Sequence, residues 1–147
     1  MSQNPPRRRL DVVIAIIFRE SKILIAKRRK GDTFADHWEF PGGKQEPGES
    51  AVDCLHRELR EELDICVDHL EPLGAITHAY SDFEVCLHPF ICQLTSGQPR
   101  PLACQQLAWV APEELSQHQF PAANAQLIEE IIQRSASDSF TDRAHRS

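Results

Sequence analysis

Four glutamates stand out by type and spacing. Glu49 closes the loop Gly43-Lys-Gln-Glu-Pro-Gly-Glu49, and Glu58, Glu61 and Glu62 follow within Arg57-Glu-Leu-Arg-Glu-Glu62. Like charges three and four apart on a helix repel by roughly 0.2–0.5 kcal/mol per pair. Glu61 and Glu62 also fall in the last helical turn, where the dipole disfavours anions. The pairs Asp53 with Arg57 and Arg57 with Glu61 relieve some of this, but Glu58 and Glu62 are four apart and both negative. A solvated face built only for stability would carry lysine there. A divalent cation resolves the conflict, because Mg²⁺ takes oxygen ligands and combines carboxylates with substrate phosphates and water. Gly42-Gly43 lets the backbone come close, so a carbonyl is available as a further ligand. The chemistry is metal-assisted hydrolysis of a phosphoanhydride, in which the cation polarises the phosphate and a spare carboxylate takes the proton of the attacking water.

The elements that must position these groups are legible from hydrophobic pattern. Leu10–Phe18 is β-branched and apolar and reads as a buried strand; Arg19–Lys22 is a turn and Ile23–Ala26 a second strand, together a hairpin. Lys27–Lys30 is a basic run, read either as a phosphate clamp or as a solvated hairpin end. Trp38-Glu39-Phe40 is extended and stops at Pro41-Gly42-Gly43. Ser50–Leu63 is the clearest helix, with Ser50 and Asp53 at capping-box spacing. Its apolar stripe is Val52, Leu55, Leu59 and Leu63, which puts Glu58, Glu61 and Glu62 beside the stripe and Arg57, Arg60 and Asp53 on the far side. Leu70–Tyr80, Glu84–Leu94 and Ala108–Val110 are expected strands. Ala111–Leu115 opens a short helix, and Ala122–Gln133 is a second amphipathic helix. The class is mixed α/β, one sheet covered by two helices, with the first helix after three strands.

Composition narrows the partners. The chain has 147 residues and a formal charge of −6, so one domain is expected and a broad surface for a nucleic acid polymer is not. Five cysteines, an odd number with no Cys-x-x-Cys pair, indicate neither a disulfide framework nor a zinc site. No apolar run approaches the roughly 18 residues of a membrane span. A cytoplasmic protein with reduced thiols and no membrane partner is expected.

From Gly43 to Ile65 the chain reads Gly-x5-Glu-x7-Arg-Glu-Leu-x-Glu-Glu-x-Asp-Ile. This resembles the Nudix box, which ends in glycine and an aliphatic residue where this chain has Asp64-Ile65. The departure falls at a helix C-terminus, where αL geometry is expected and Asp tolerates it better than most residues. Trp38–Lys44 is similar to the lead-in of the MutT branch, and Phe120-Pro-Ala-Ala-Asn124 to its base-reading segment. The resemblance covers about residues 10 to 133. It implies an α/β/α sandwich, a mixed sheet with the box helix and a C-terminal helix packed on it. The expected limits are a flexible segment 1–9, a single Nudix domain 10–134 and a disordered tail 135–147.

The resemblance further implies Mg²⁺ or Mn²⁺ and cleavage of a nucleoside triphosphate to monophosphate and pyrophosphate, by water attack at the β-phosphorus. By position, the Gly42 carbonyl, Glu58, Glu61 and Glu62 are the implied metal ligands, Arg57 orients the carboxylates, and Glu58 is the implied base, with Glu49 and Glu61 as rivals. Arg28, Glu39, Phe40, Lys44, Tyr80, Asp82 and Asn124 fall where the branch lines its nucleotide site. For Phe40 and Tyr80 the alternative is core packing, and for Asn124 a helix N-cap. Relatives often carry a Glu-His-Gln-like stretch that reaches the metals; here it is Ala103-Cys104-Gln105-Gln106, and a thiol is a soft ligand that does not replace carboxylate for Mg²⁺. The expected substrate is 8-oxo-dGTP, in nucleotide-pool sanitation, by a monomer or weak homodimer. A cytidine-preferring Nudix enzyme and a non-catalytic recognition module are the alternatives.

Overall fold

Val13–Phe18 is apolar at every position because both of its faces are covered. In the computed structural model, which describes residues 8–136, Val13, Ala15 and Ile17 pack on one helix, while Ile14, Ile16 and Phe18 belong to the core on the opposite face. This strand, β1 (Arg8–Arg19), is the spine of the sheet. The others are β2 (Lys22–Lys27), β3 (Trp38–Glu39), β4 (Gly42–Lys44), β5 (Cys66–Pro72), β6 (Ile76–Ala79), β7 (Phe83–Ser96) and β8 (Gln106–Val110). β1 and β7 run parallel from Arg8↔Phe83 to Phe18↔Gln93, and every other pairing is antiparallel. The sheet is therefore mixed.

Helix α1 (Ala51–Leu63) closes one face with Cys54, Leu55, Leu59 and Leu63. Helix α2 (Ala125–Ala136) closes the other with Leu127 and Ile131, joined by Leu115 from the 3₁₀ segment Pro112–Gln117. The result is an α/β/α sandwich. Ser50 caps α1 by accepting from the Asp53 amide at 3.0 Å. Asp64 ends it at φ 57, ψ 45, in the left-handed region, with its amide donating to the Arg60 and Leu59 carbonyls.

Several sequence expectations are revised. Val52 is 41% exposed and Cys54 takes its place in the buried stripe; the Cys54 thiol lies over the Gly43 and Lys44 carbonyls at 3.8 and 3.5 Å. The Gly42–Lys44 stop is itself a strand, so α1 follows four strands rather than three. The span 70–80 is two strands, β5 and β6, and its first part begins earlier, at Cys66. The second helix opens as a 3₁₀ turn, Ala122–Asn124. β1 starts at Arg8 and α2 runs to Ala136, so ordered structure extends two residues past each expected limit. The expectations for 1–7 and 137–147 lie outside the described residues.

β2 pairs with β1 only beside their turn, at Phe18↔Ile23 and Arg19↔Lys22. Beyond that the two strands part. The segment 38–44 crosses the gap, with β3 on β2 and β4 on β1, and the Pro41 carbonyl between them accepts from the Ala15 amide at 2.8 Å. This crossing segment forms the wall of the site.

Candidate active site

The crossing segment works because it is glycine at two positions. Gly42 has φ 150, and a Cβ there would collide with the Val13 carbonyl and lie 2.8 Å from Ile14 Cα. Gly43 has ordinary backbone, but a Cβ would sit 2.5 and 2.6 Å from the two Glu58 oxygens. The missing side chain is the space in which the Glu58 carboxylate rests. β4 and α1 thus meet through a carboxylate on a bare backbone.

Arg57 organises the acids. Its Nε donates to Glu49 Oε2 at 2.7 Å and its Nη2 to Glu49 Oε1 at 3.0 Å, a bidentate pair. Nη1 donates to Glu58 Oε1 at 3.0 Å and Glu61 Oε2 at 3.3 Å, and Nη2 reaches the Lys44 carbonyl at 3.3 Å. Arg57 therefore does not lie on the far side of the helix, as the stripe through Val52 implied. It is long enough to curl over the N-terminal loop, and a stripe centred on Cys54 and Leu55 turns it toward that loop. The pairing with Arg57 pulls the Glu49 carboxyl down to about 2, and the acids around Arg57 raise the guanidinium further above its usual value.

Glu62 is in the opposite condition. Burial, then the neighbouring Glu58 carboxyl, push it up to about 8, against a smaller downward pull from the Gly42 amide. Glu39 is also raised by burial, with Arg28 opposing. Glu58 and Glu49 side chains are each 14% exposed, whereas Glu61 is 60% exposed and stands at the rim.

Three adjoining hollows share Val12 and Arg28 and form one cleft. The first, about 280 Å³, is lined by Glu39, Gly42, Gly43, Lys44 and Glu62, with Asp32 and Ala103 opposite. The second, about 120 Å³, runs inward between Phe40, Tyr80, Phe34 and Asn124. The third, about 320 Å³, opens outward past Thr33, Phe34, Lys44 and Phe83. Acidic and basic groups line the first; aromatic and aliphatic groups line the second. Arg28 stands between them, donating to Glu39 Oε1 at 2.6 Å and to the Thr33 carbonyl at 2.7 Å.

Phe40 is buried and packs on Phe120 at 5.2 Å between ring centroids. The Tyr80 hydroxyl accepts from the Ala123 amide at 2.9 Å, which fixes the floor of the inner hollow. Asn124 is 8% exposed and spends one amide hydrogen on the Pro121 carbonyl at 3.4 Å. Its side chain accepts no amide of α2 among the described residues, so a side-chain N-cap is not its role. Asp82 stands apart: it lies in the exposed turn between β6 and β7 and lines none of these hollows. Phe34 is an addition. It sits in the loop after the basic run at φ 60, and only its aromatic type in a polar loop could have drawn attention to it. Cys104 lies close enough to Glu39 and Glu62 to have its thiol raised by both, though burial raises it more.

The NUDIX domain profile matches residues 12–130. The chain belongs to the Nudix family. Its relatives include the CTP pyrophosphohydrolase of Escherichia coli, 37% identical over 84% of this chain and 91% of that protein. They also include the 8-oxo-dGTP diphosphatase of Haemophilus influenzae, 32% identical over 84% of this chain and 91% of that protein. Among solved structures, the E. coli ORF135 protein superposes with a TM-score of 0.74 at 34% identity, covering 91% of this chain and 97% of that one. The protein is thus a MutT-like Nudix pyrophosphohydrolase with the Nudix α/β/α sandwich. Its Nudix box is the β4 to α1 unit, and as a Nudix hydrolase it acts on small nucleotide substrates. Among the described residues, no helix is long and apolar enough to cross a membrane.

Proposed function

We propose that the protein hydrolyses an oxidised purine nucleoside triphosphate, 8-oxo-dGTP, to the monophosphate and pyrophosphate with Mg²⁺ or Mn²⁺. The observation that carries this is Asn124. It is buried on the inner hollow, it is not occupied in capping α2, and it offers both a donor and an acceptor to a purine edge. The aromatic walls, Phe40, Phe34 and Tyr80, provide the apolar surface that a base requires.

Glu58, Glu61, Glu62 and a Gly42 carbonyl offer hard oxygen donors, the set that suits Mg²⁺ or Mn²⁺. The raised Glu62 supports this fit, since its largely buried carboxyl is crowded by that of Glu58. A cation held there would neutralise the phosphates and polarise the phosphorus under attack. The side chains do the rest. Arg57 fixes one oxygen of Glu58 and leaves the other to take a proton from water. Glu49, held near pKa 2, is too weak a base for that task and serves to anchor Arg57. Lys44 and Arg28 flank the path that the triphosphate would follow.

A cytidine triphosphate substrate is the second reading, favoured by the 37% identity to the E. coli CTP pyrophosphohydrolase. The test is kcat/KM with Mg²⁺ over 8-oxo-dGTP, dGTP, CTP and 5-hydroxy-dCTP, with products identified. A large preference for 8-oxo-dGTP, yielding monophosphate and pyrophosphate, supports the proposal. Preference for a cytidine nucleotide overturns the assignment of the base.

A further inference from the structure

Away from the cleft, the parallel ladder of β1 and β7 brings together three donors of different chemistry. Asp11 pairs in register with Cys86, and Val13 with His88, so all three side chains lie on the α1 face, just beyond where α1 covers it. One carboxylate oxygen, one thiol sulfur and one imidazole nitrogen lie within 4.8 Å of one another. His88 Nε2 is 3.0 Å from Asp11 Oδ1. By itself that contact is an Asp–His pair. Cys86 changes the reading: it is buried on the same face and makes no hydrogen bond among the described residues. Oxygen, nitrogen and sulfur together are poor for Mg²⁺ and good for a borderline divalent metal.

We propose that Asp11, Cys86 and His88 form a site for one zinc-class ion, separate from the carboxylates of the box, with water as fourth ligand. Tetrahedral zinc with ligands at 2.0–2.3 Å places its donors roughly 3.3–3.8 Å apart. The three side chains, on two adjacent central strands, reach that spacing by contracting about 1 Å through rotamer change. Arg9 now shares Asp11 Oδ1, at 3.2 and 3.3 Å, and is 52% exposed. It swings into solvent at little cost when the metal takes its place. The ion would tie β1 to β7 where the ladder leaves the cover of α1.

Co²⁺ titration of the Mg²⁺-free full chain, followed by thiolate-to-cobalt charge-transfer absorption and by the thermal midpoint with stoichiometric Zn²⁺, tests this. Wild type is expected to show the band and a raised midpoint. Cys86→Ala loses the band. His88→Gln, at a partly exposed position that should not disturb folding, weakens Co²⁺ at least about tenfold and loses the rise in midpoint. Cys104→Ala keeps both, which separates this site from the thiol beside Glu62. A band lost in Cys104→Ala but kept in Cys86→Ala puts the metal at the box and overturns the proposal. So does the absence of a band in wild type, or full Co²⁺ affinity in His88→Gln.

Discussion

Gly43→Ala isolates the geometry of the site from its chemistry. The backbone at Gly43 is not in the positive-φ region, so alanine fits it without strain. The nearest atoms to the added methyl all belong to the Glu58 carboxylate, its oxygens at 2.5 and 2.6 Å, and ordinary contact starts near 3.4 Å. The carboxylate must retreat by about 1 Å, and a misplacement of that size at a reacting centre costs about 10²-fold in rate. That is about 2.7 kcal/mol in the barrier. The clash falls on the end of a flexible side chain, so the fold bears little of it; replacing glycine in a strand gains roughly 0.5–1 kcal/mol. The expected result is a fall in kcat of about 10², with KM nearly unchanged and the melting midpoint equal to wild type or slightly higher. Pyrophosphate release under saturating substrate and a circular dichroism melt measure the two. Turnover within about threefold of wild type, a barrier change well under 1 kcal/mol, would refute the claim that the bare Gly43 backbone seats the Glu58 carboxylate.

Glu58→Gln should lower kcat by about 10²–10⁴, the usual worth of a general base, with an unchanged melt; near-normal turnover removes Glu58 from that role. Asn124→Ala should erode the kcat/KM preference for 8-oxo-dGTP over dGTP more than it slows dGTP itself, whereas equal losses would make it a structural residue. Glu62, pushed up to about 8 by burial and by Glu58 from the ordinary 4.5, keeps a proton in the metal-free folded state that the unfolded chain has released. The metal-free protein therefore loses stability as pH rises between these values, and Mg²⁺ binding at pH 7 releases a proton. Calorimetry in buffers of different ionisation enthalpy detects this, and identical heats in all buffers contradict it. Asp64→Gly relieves left-handed backbone at φ 57 and gives up only an exposed 3.6 Å contact to Arg100. It should stabilise by about 0.5–1 kcal/mol, read as a higher melting midpoint with unchanged kcat; a lower midpoint would show that Asp64 contributes more than backbone geometry.

How far the sequence reveals this architecture depends on whether local pattern or distant contact decides each element. β1 and α1 are legible because an unbroken β-branched run and an i,i+3/i+4 stripe behind Ser50 each have one good solution. Within α1 the stripe is off by part of a turn. Val52 looks more apolar than Cys54, yet the thiol is the group that fits under the Gly43 and Lys44 carbonyls. β4 is invisible to propensity, since Gly42-Gly43-Lys44 becomes a strand only by pairing with Val12–Ile14. The acid cluster is legible as a cluster, but the division of labour within it is not. Which of Glu49, Glu58 and Glu62 is ionised, shielded or crowded follows from where Arg57 reaches. For Asp82 the resemblance alone suggested a place at the nucleotide site; the residue stands exposed in the turn between β6 and β7 and lines none of the three hollows.

The parallel ladder between β1 and β7 has a consequence for how the chain comes to be folded. Its partners, Arg8↔Phe83 through Phe18↔Gln93, are 75 residues apart along the chain. Closing a loop of that length costs about 4 kcal/mol of chain entropy before any contact repays it. The hairpin of β1 and β2 can form at once, but it presents the Ile-rich β1 with one edge bare until residues 83–93 have been synthesised. During translation, that edge is the most aggregation-prone surface the protein has. The box helix, whose apolar stripe packs on β1 and on the far partner's Phe90 and Cys92, settles only when the ladder closes. Activity should therefore appear late and all at once during refolding, rather than growing with helix content.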